Sequence, residues 1–353
     1  MKKLLLTITA GTLALAAFAQ EKRVPLFEVY SSSTCPPCRT ANITMKSFLD
    51  TKPAEDYVAI KHQVHFPGTG DPYATADNIQ KFNNGGFGGV PAMTINGSDN
   101  SQYAGNMGAS MFNAASSEAA QYKLSGTYTV EDKKVDVFIN YTPLAGIASP
   151  KLHVAIIEKE TERNVKSNGE TKFYNVVKKF IPSRNGTAIT GAVVDQAGSM
   201  HLTYEFNGDY RLPSNGQTAS HINDATEHSV ENFENLRVVA WIQGSDNKVA
   251  QAANLTQGTV SVKNVVSPIS NVNVYPNPAK DNVSIKLNLL EVDQVDALLV
   301  SLTGQVINSQ SLKLNKGENT IQIQTANVAN GAYNLILSDS KGNSYATQVV
   351  VAH

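Results

Sequence analysis

Two hydrophobic periodicities divide the chain. In Leu26-Phe27-Glu28-Val29-Tyr30 successive side chains alternate, so Leu26, Glu28 and Tyr30 share one face of a strand and Phe27 and Val29 the other. Beyond it Ala41, Met45, Phe48 and Leu49 recur at helical spacing and form one apolar stripe of a helix predicted over residues 36–50. Asn42, Lys46 and Asp50 fall on its wet side. Residues 57–66 predict a second strand, and residues 71–82 a second helix with Asp71 as N-cap and Pro72 in the first turn. The glycine-rich stretch at 83–89 must visit positive φ. It leads into a third strand predicted over 90–96, which ends at an Asn96-Gly97 hairpin signal. These elements predict an α/β unit over residues 20–121.

From residue 122 to 263 the period becomes two. Stretches at 124–130, 134–141, 152–158, 174–181, 200–206 and 236–242 read as strands separated by turn clusters, which predicts an antiparallel β-sandwich. The polar loop at 207–231 either lies over a sheet edge or carries a binding surface, and Trp241 reads as core. Ser267-Pro268 and Ser270-Asn271 interrupt the strands and predict a linker at 264–271, followed by a small β domain at 272–353. The expected fold class is thus multidomain, α/β plus all-β.

Composition narrows the function. The chain has 353 residues and a net charge of −1, so it has room for two or three domains and no strong field for nucleic acid. Lys2 and Lys3, the apolar run at 4–17 and Ala17-Phe18-Ala19 read as a signal peptide over residues 1–19. That run is too short to span a membrane comfortably and no other is longer, so no integral membrane span is expected. The mature chain is expected outside the cytoplasm, where disulfides persist.

Cys35 and Cys38 are the only cysteines. They sit where a strand-like run gives way to a helix-like one. A helix N-terminus offers free N–H groups and partial positive charge that stabilise a thiolate on Cys35, and Cys38, one turn on, can close a disulfide with it. A bridge this short constrains the unfolded chain little, so a purely structural staple would add little stability. Histidines give no metal signal: His62 and His65 face opposite sides of a strand, and all seven read as surface residues. The glycines at 85–89 lack the Lys-Ser/Thr of a phosphate loop. No cofactor or metal is expected.

With Gly89-Val90-Pro91 entering a strand some fifty residues after the Cys-Pro-Pro-Cys pair, residues 24–120 resemble a thioredoxin fold. The resemblance implies a cis-proline at Pro91 beside the disulfide, lining a groove for a protein thiol or disulfide substrate. It also implies an acid on the preceding strand. Glu28 is then either a proton acceptor for Cys38 or a strand-end glutamate reaching solvent. Thr34 stands where thioredoxins usually carry Trp, which speaks against a general disulfide reductase. Two prolines leave only the Cys38 N–H and those beyond it as donors to the Cys35 sulfur, which implies a pair less oxidising than that of a disulfide-introducing oxidase. The domain order over 24–262, opened by Phe27-Glu28-Val29-Tyr30 ahead of Cys35, resembles the outer-membrane-protein-28-related family.

Four stretches, Val274–Asn282, Val283–Leu287, Val300–Val306 and Gly331–Leu337, resemble the type A C-terminal sorting domain of the type IX secretion system. The resemblance implies a seven-stranded β-sandwich at 272–353, read by the outer-membrane translocon. Many such domains end in Lys or Arg; this chain ends in Gln348-Val-Val-Val-Ala-His353. The expectation is a secreted or surface protein with Cys35 as the more exposed, attacking sulfur and Cys38 as resolving thiol. The alternative is a non-enzymatic surface or adhesion protein with a structural disulfide.

Overall fold

The computed structural model describes residues 21–97, 102–258, 269–291, 293–301, 306–339 and 344–353. The predicted signal peptide and residues 264–268 of the predicted linker lie outside the described residues.

In chain order the first part contains β1 (Leu26–Ser31), α1 (Pro36–Leu49), β2 (Val58–Gln63), α2 (Ala76–Asn84), β3 (Ala92–Ile95) and α3 (Ala109–Ala115). There follow β4 (Tyr122–Glu131), β5 (Lys134–Pro143), β6 (Lys151–Thr161), β7 (Phe173–Ile181), β8 (Thr187–Ala188) and β9 (Gly198–Glu205). Next come β10 (Asp209–Tyr210), β11 (Glu227–His228), β12 (Leu236–Gln243), β13 (Val249–Asn254) and β14 (Thr256–Gln257).

One central sheet runs β13-β12-β6-β7-β2-β1-β3, with β8 also paired to β6. It joins the two parts that the sequence reading separates at residue 121. Strands β1 and β2 pair in parallel, and β2 meets β7 in parallel at a single position, Lys61↔Val176. The expected two-layer packing over 122–263 does form, because the sheet β14-β4-β5-β9 lies on the central one. Its partner layer, however, also holds β1 to β3. The reason is visible in β6: alternation suggests one buried face, but residues 152–158 are buried on both. Val154 and Ile156 pack against Val135 and Val137 of β5, whereas Ala155 and Ile157 pack against Leu26 and Ile60.

On the N-terminal half of the sheet Phe27, Val29 and Ala59 bury against Ala41, Met45 and Leu49 of α1, the stripe expected from sequence. Tyr30, on the other face, packs on Phe82 of α2 and on Phe87, which anchors the glycine-rich loop. Helix α2 begins later than expected. Its N-cap is Thr75, whose hydroxyl accepts from the Asn78 N–H; Asp71 is instead fully buried and accepts from the Ser33 and Tyr73 N–H groups at 3.0 and 2.8 Å. Those nearby donors outcompete the helix terminus for its carboxylate. The turn at Asn96 and Gly97 has positive φ at both residues, and a Cβ on Gly97 would stand 2.1 Å from the Asn247 carbonyl oxygen.

The C-terminal part contains β15 (Ile269–Tyr275), β16 (Asn282–Leu289), β17 (Asp293–Ser301), β18 (Val306–Leu314), β19 (Gly317–Gln324), β20 (Gly331–Asp339) and β21 (Ser344–Val351). The last three residues predicted as linker therefore open a strand. Sheets β15-β16-β19 and β18-β17-β20-β21 face each other across a core that includes Ile285, Leu287, Ile323, Leu299, Leu335 and Val349. Strand β16 alternates exposed or half-buried with buried along its whole length, so its sequence pattern is the pattern of the structure. Asn277 clamps the chain end: its side-chain amide donates to the Gln348 carbonyl at 3.0 Å and its carbonyl accepts from the Val350 N–H at 2.8 Å.

Candidate functional site

The polypeptide leaves β1 through Ser31-Ser32-Ser33-Thr34 and enters α1 at Cys35, its N-cap, with Pro36 and Pro37 in the first turn. Proline is tolerated there because the N–H groups of a first turn have no helical acceptor. Cys35 and Cys38 are joined as a disulfide with their Cα atoms 5.3 Å apart. The Cys38 N–H donates to the Cys35 carbonyl at 3.1 Å. It is therefore occupied by backbone rather than aimed at the sulfur.

The Cys35 sulfur lies 3.6 Å from the carbonyl oxygen of Val90, the residue before Pro91, and the Val90–Pro91 bond is cis. Pro36 and Pro37 are exposed and Val90 and Pro91 half-buried, so a wet rim surrounds the bridge. The bridge itself is covered. Cys35 is 1% exposed and Cys38 fully buried, so Cys35 does not stand out as the accessible sulfur.

Two carboxylates hold the Ser31–Thr34 segment from below. Asp71 accepts from the Ser33 N–H and from the Asn164 amide at 3.1 and 3.2 Å. Burial pushes its pKa up to about 6, against the pull of the hydrogen bonds from Tyr73, Ser33 and Asn164. Glu170 accepts from Asn42 at 3.0 Å and from Asn168 at 3.2 Å, while Asn42 also donates to the Ser31 hydroxyl and Asn168 to the Ser32 carbonyl. The Thr34 hydroxyl donates to the Pro67 carbonyl at 2.7 Å. Nothing local in the sequence joins residues 31–34 to 164–170; the union of β2 with β7 brings them together.

Glu28 is not a solvent-reaching strand end. It is 3% exposed, and its carboxylate lies 2.9 Å from Lys81 Nζ, 3.2 Å from His62 Nε2 and 3.5 Å from the Thr94 hydroxyl. Burial opposes its charge, but Lys81 and the His62 hydrogen bond outweigh that and hold its pKa far below the usual carboxylate range. A carboxylate so committed is a weak base. It faces α2, whereas its neighbours Phe27 and Val29 face α1. The structure thus brings Cys35, Cys38 and Pro91 together and gives Glu28 to a separate ion cluster.

The histidines differ from expectation: His62, His153 and His228 are buried. His62 stacks on Tyr30 and bonds Asn78, and His153 stacks on Trp241, so these rings serve as flat, partly polar core pieces. Among the described residues no His, Cys, Asp and Glu group together as metal ligands, and no helix is long and apolar enough to cross a membrane. The loop at 207–231 docks over the Asp71 segment: Gln217 donates to the His65 carbonyl at 2.8 Å, and Tyr210 meets Tyr73 at 2.8 Å.

Residues 273–352 match the family described as the secretion system C-terminal sorting domain. No curated protein resembles the chain closely enough to count as a match. Among solved structures, HBP35 of Porphyromonas gingivalis is similar at 12% identity and a TM-score of 0.49, over 94% of this chain and 99% of that one. Dimeric latent PorU from the same organism is similar at 10% identity and a TM-score of 0.21, over 66% of this chain and 34% of that one. The sorting domain is the informative match: the chain is addressed to the cell surface or beyond by a type IX secretion system.

Proposed function

We propose that the exported protein is a thioredoxin-like surface protein of the outer-membrane-protein-28-related kind, in which the Cys35–Cys38 pair exchanges with protein thiols. The observation that carries this reading is the contact between the Cys35 sulfur and the carbonyl of Val90, on a rim formed by Pro36, Pro37 and Pro91. A partner dithiol would supply a thiolate that attacks Cys35, and Cys38 leaves as the thiolate. The partner's second thiol then attacks its own sulfur in the mixed disulfide and releases Cys35. The partner ends oxidised and the pair reduced, with Pro91 as the residue its chain passes. Glu28 holds Lys81 and His62 and takes no proton in this scheme.

The burial of both cysteines favours a second reading, a surface or adhesion protein with an inert bridge. A single pair of variants separates the two. Exchange runs in both directions. In the reverse of this scheme the Cys35 thiolate attacks a partner disulfide, one partner sulfur leaves as thiolate, and Cys38 then resolves the mixed disulfide. With the resolving thiol replaced, Cys38→Ser captures surface proteins as mixed disulfides on Cys35, visible on non-reducing gels, and Cys35→Ser captures none. Both variants melt close to the wild type, because so short a loop contributes little entropy. Absence of captured partners from Cys38→Ser, with a lowered melting temperature in both variants, supports the inert bridge and ends the exchange reading.

A further inference from the structure

A cavity of about 440 Å³ opens on the α1 side of the central sheet, between the C-terminal half of α1 and strands β6, β7 and β12. It lies beside the single paired position of β2 and β7, Lys61↔Val176, and Lys61 lines it. Its floor is apolar and includes Val29, Ile157, Val238 and Leu255. Its charged residues are unbalanced: Lys46, Lys61, Lys159 and Arg237 line it against one acid, Asp50, and Asp50 is bound to Lys46 at 2.6 Å.

Lys61 is the unusual member. It is 8% exposed, on the same face as Val29 and Ala59, and its ammonium has no hydrogen bond or ion pair from the described residues. The acids whose charge it feels, Glu170 and Asp71, accept their hydrogen bonds from other groups. Burial drives its pKa down, opposed by those two carboxylates. The Lys61 side chain lines the cavity, so an anion that enters the cavity can reach the ammonium.

We propose that this cavity binds an amphipathic monocarboxylate, with the apolar tail on the floor and the head group on Lys61. Lys159, exposed, and Arg237, half-buried, stand at the mouth and attract the anion. The volume falls within the usual range for small-molecule sites, about 300–1,000 Å³. The site is independent of the disulfide chemistry.

Titration calorimetry of the exported protein at pH 7 with decanoate, and with decanol as its uncharged match, tests the proposal. Decanoate binds one per chain and at least about tenfold tighter than decanol, the value of a charge-assisted hydrogen bond. Lys61→Met removes that preference and keeps decanol binding. Ala54→Trp, at an exposed position of the mouth, weakens both ligands at least about tenfold and leaves Lys61 in place. The proposal is overturned if the wild type takes up no decanoate, if it takes up decanol equally well, or if Ala54→Trp leaves decanoate binding unchanged. Should Lys61→Met not fold, protection of Lys61 from acetic anhydride by decanoate replaces it, and an unprotected lysine overturns the proposal.

Discussion

The part of the chain up to residue 258 and the sorting domain bury different things. Among the described residues of the sorting domain the buried ones are mostly aliphatic, with Thr325 and Asp339 as polar exceptions, and the charged pair Lys286–Glu318 lies on the surface with 43% and 67% of the side chains exposed. In the first part Glu28, Lys61, His62, Asp71, Glu158, Glu170 and Lys178 are all buried, several in contact with one another. A β domain that needs only to fold and be recognised can rely on alternation. A unit with a covered disulfide and a charged cavity spends part of its burial on polar groups, which are stable only when paired.

Three experiments test how far the two parts are separate. The largest effect comes from deleting residues 268–353. No hydrophobic cluster among the described residues mixes the two parts, so the remainder stays folded but accumulates in the periplasm, as cell fractionation would show. Normal surface levels of the truncated protein would sink the sorting role.

Next in size is a pair of matched neutralisations. Glu28→Gln leaves Lys81 and His62 without their carboxylate and lowers stability by about 3 kcal/mol in urea unfolding at pH 7. The loss shrinks as pH falls below the ordinary carboxylate range. The held-down pKa of Glu28 gives stability that is complete above its unfolded value and disappears on protonation. Glu318→Gln, at the surface, leaves the melting point unchanged. Equal responses from the two variants would mean that the first part and the sorting domain depend on their charged pairs alike.

The smallest effect concerns Asp71. Its folded pKa of about 6 lies above the unfolded value of about 3.9, so between them the folded state holds a proton that the unfolded chain releases. Stability therefore falls as pH rises through this window. The wild type gains stability relative to Asp71→Asn when pH is lowered from about 7 to about 4. A difference that is flat across this range would mean that Asp71 is ionised throughout, carried by Ser33, Tyr73 and Asn164.

Much of the local structure was legible in advance because it depends on neighbours. The stripe of Ala41, Met45 and Leu49, the prolines that open α1, the Cys35–Cys38 spacing and the alternation of β16 are each set within a few residues. So were the four stretches of the sorting domain, which is why the export route could be read from the amino-acid sequence by itself. The union of β2 with β7 could not be read, since one paired position leaves no pattern in either strand. Contacts between distant segments were settled in three dimensions: the seating of residues 164–170 against Ser31–Thr34 through that union, and, within the first unit, the meeting of Glu28 with Lys81 and His62 and the withdrawal of Asp71 from a helix cap. Periodicity tells which face of an element is dry, but only the tertiary structure decides which distant polar groups meet there.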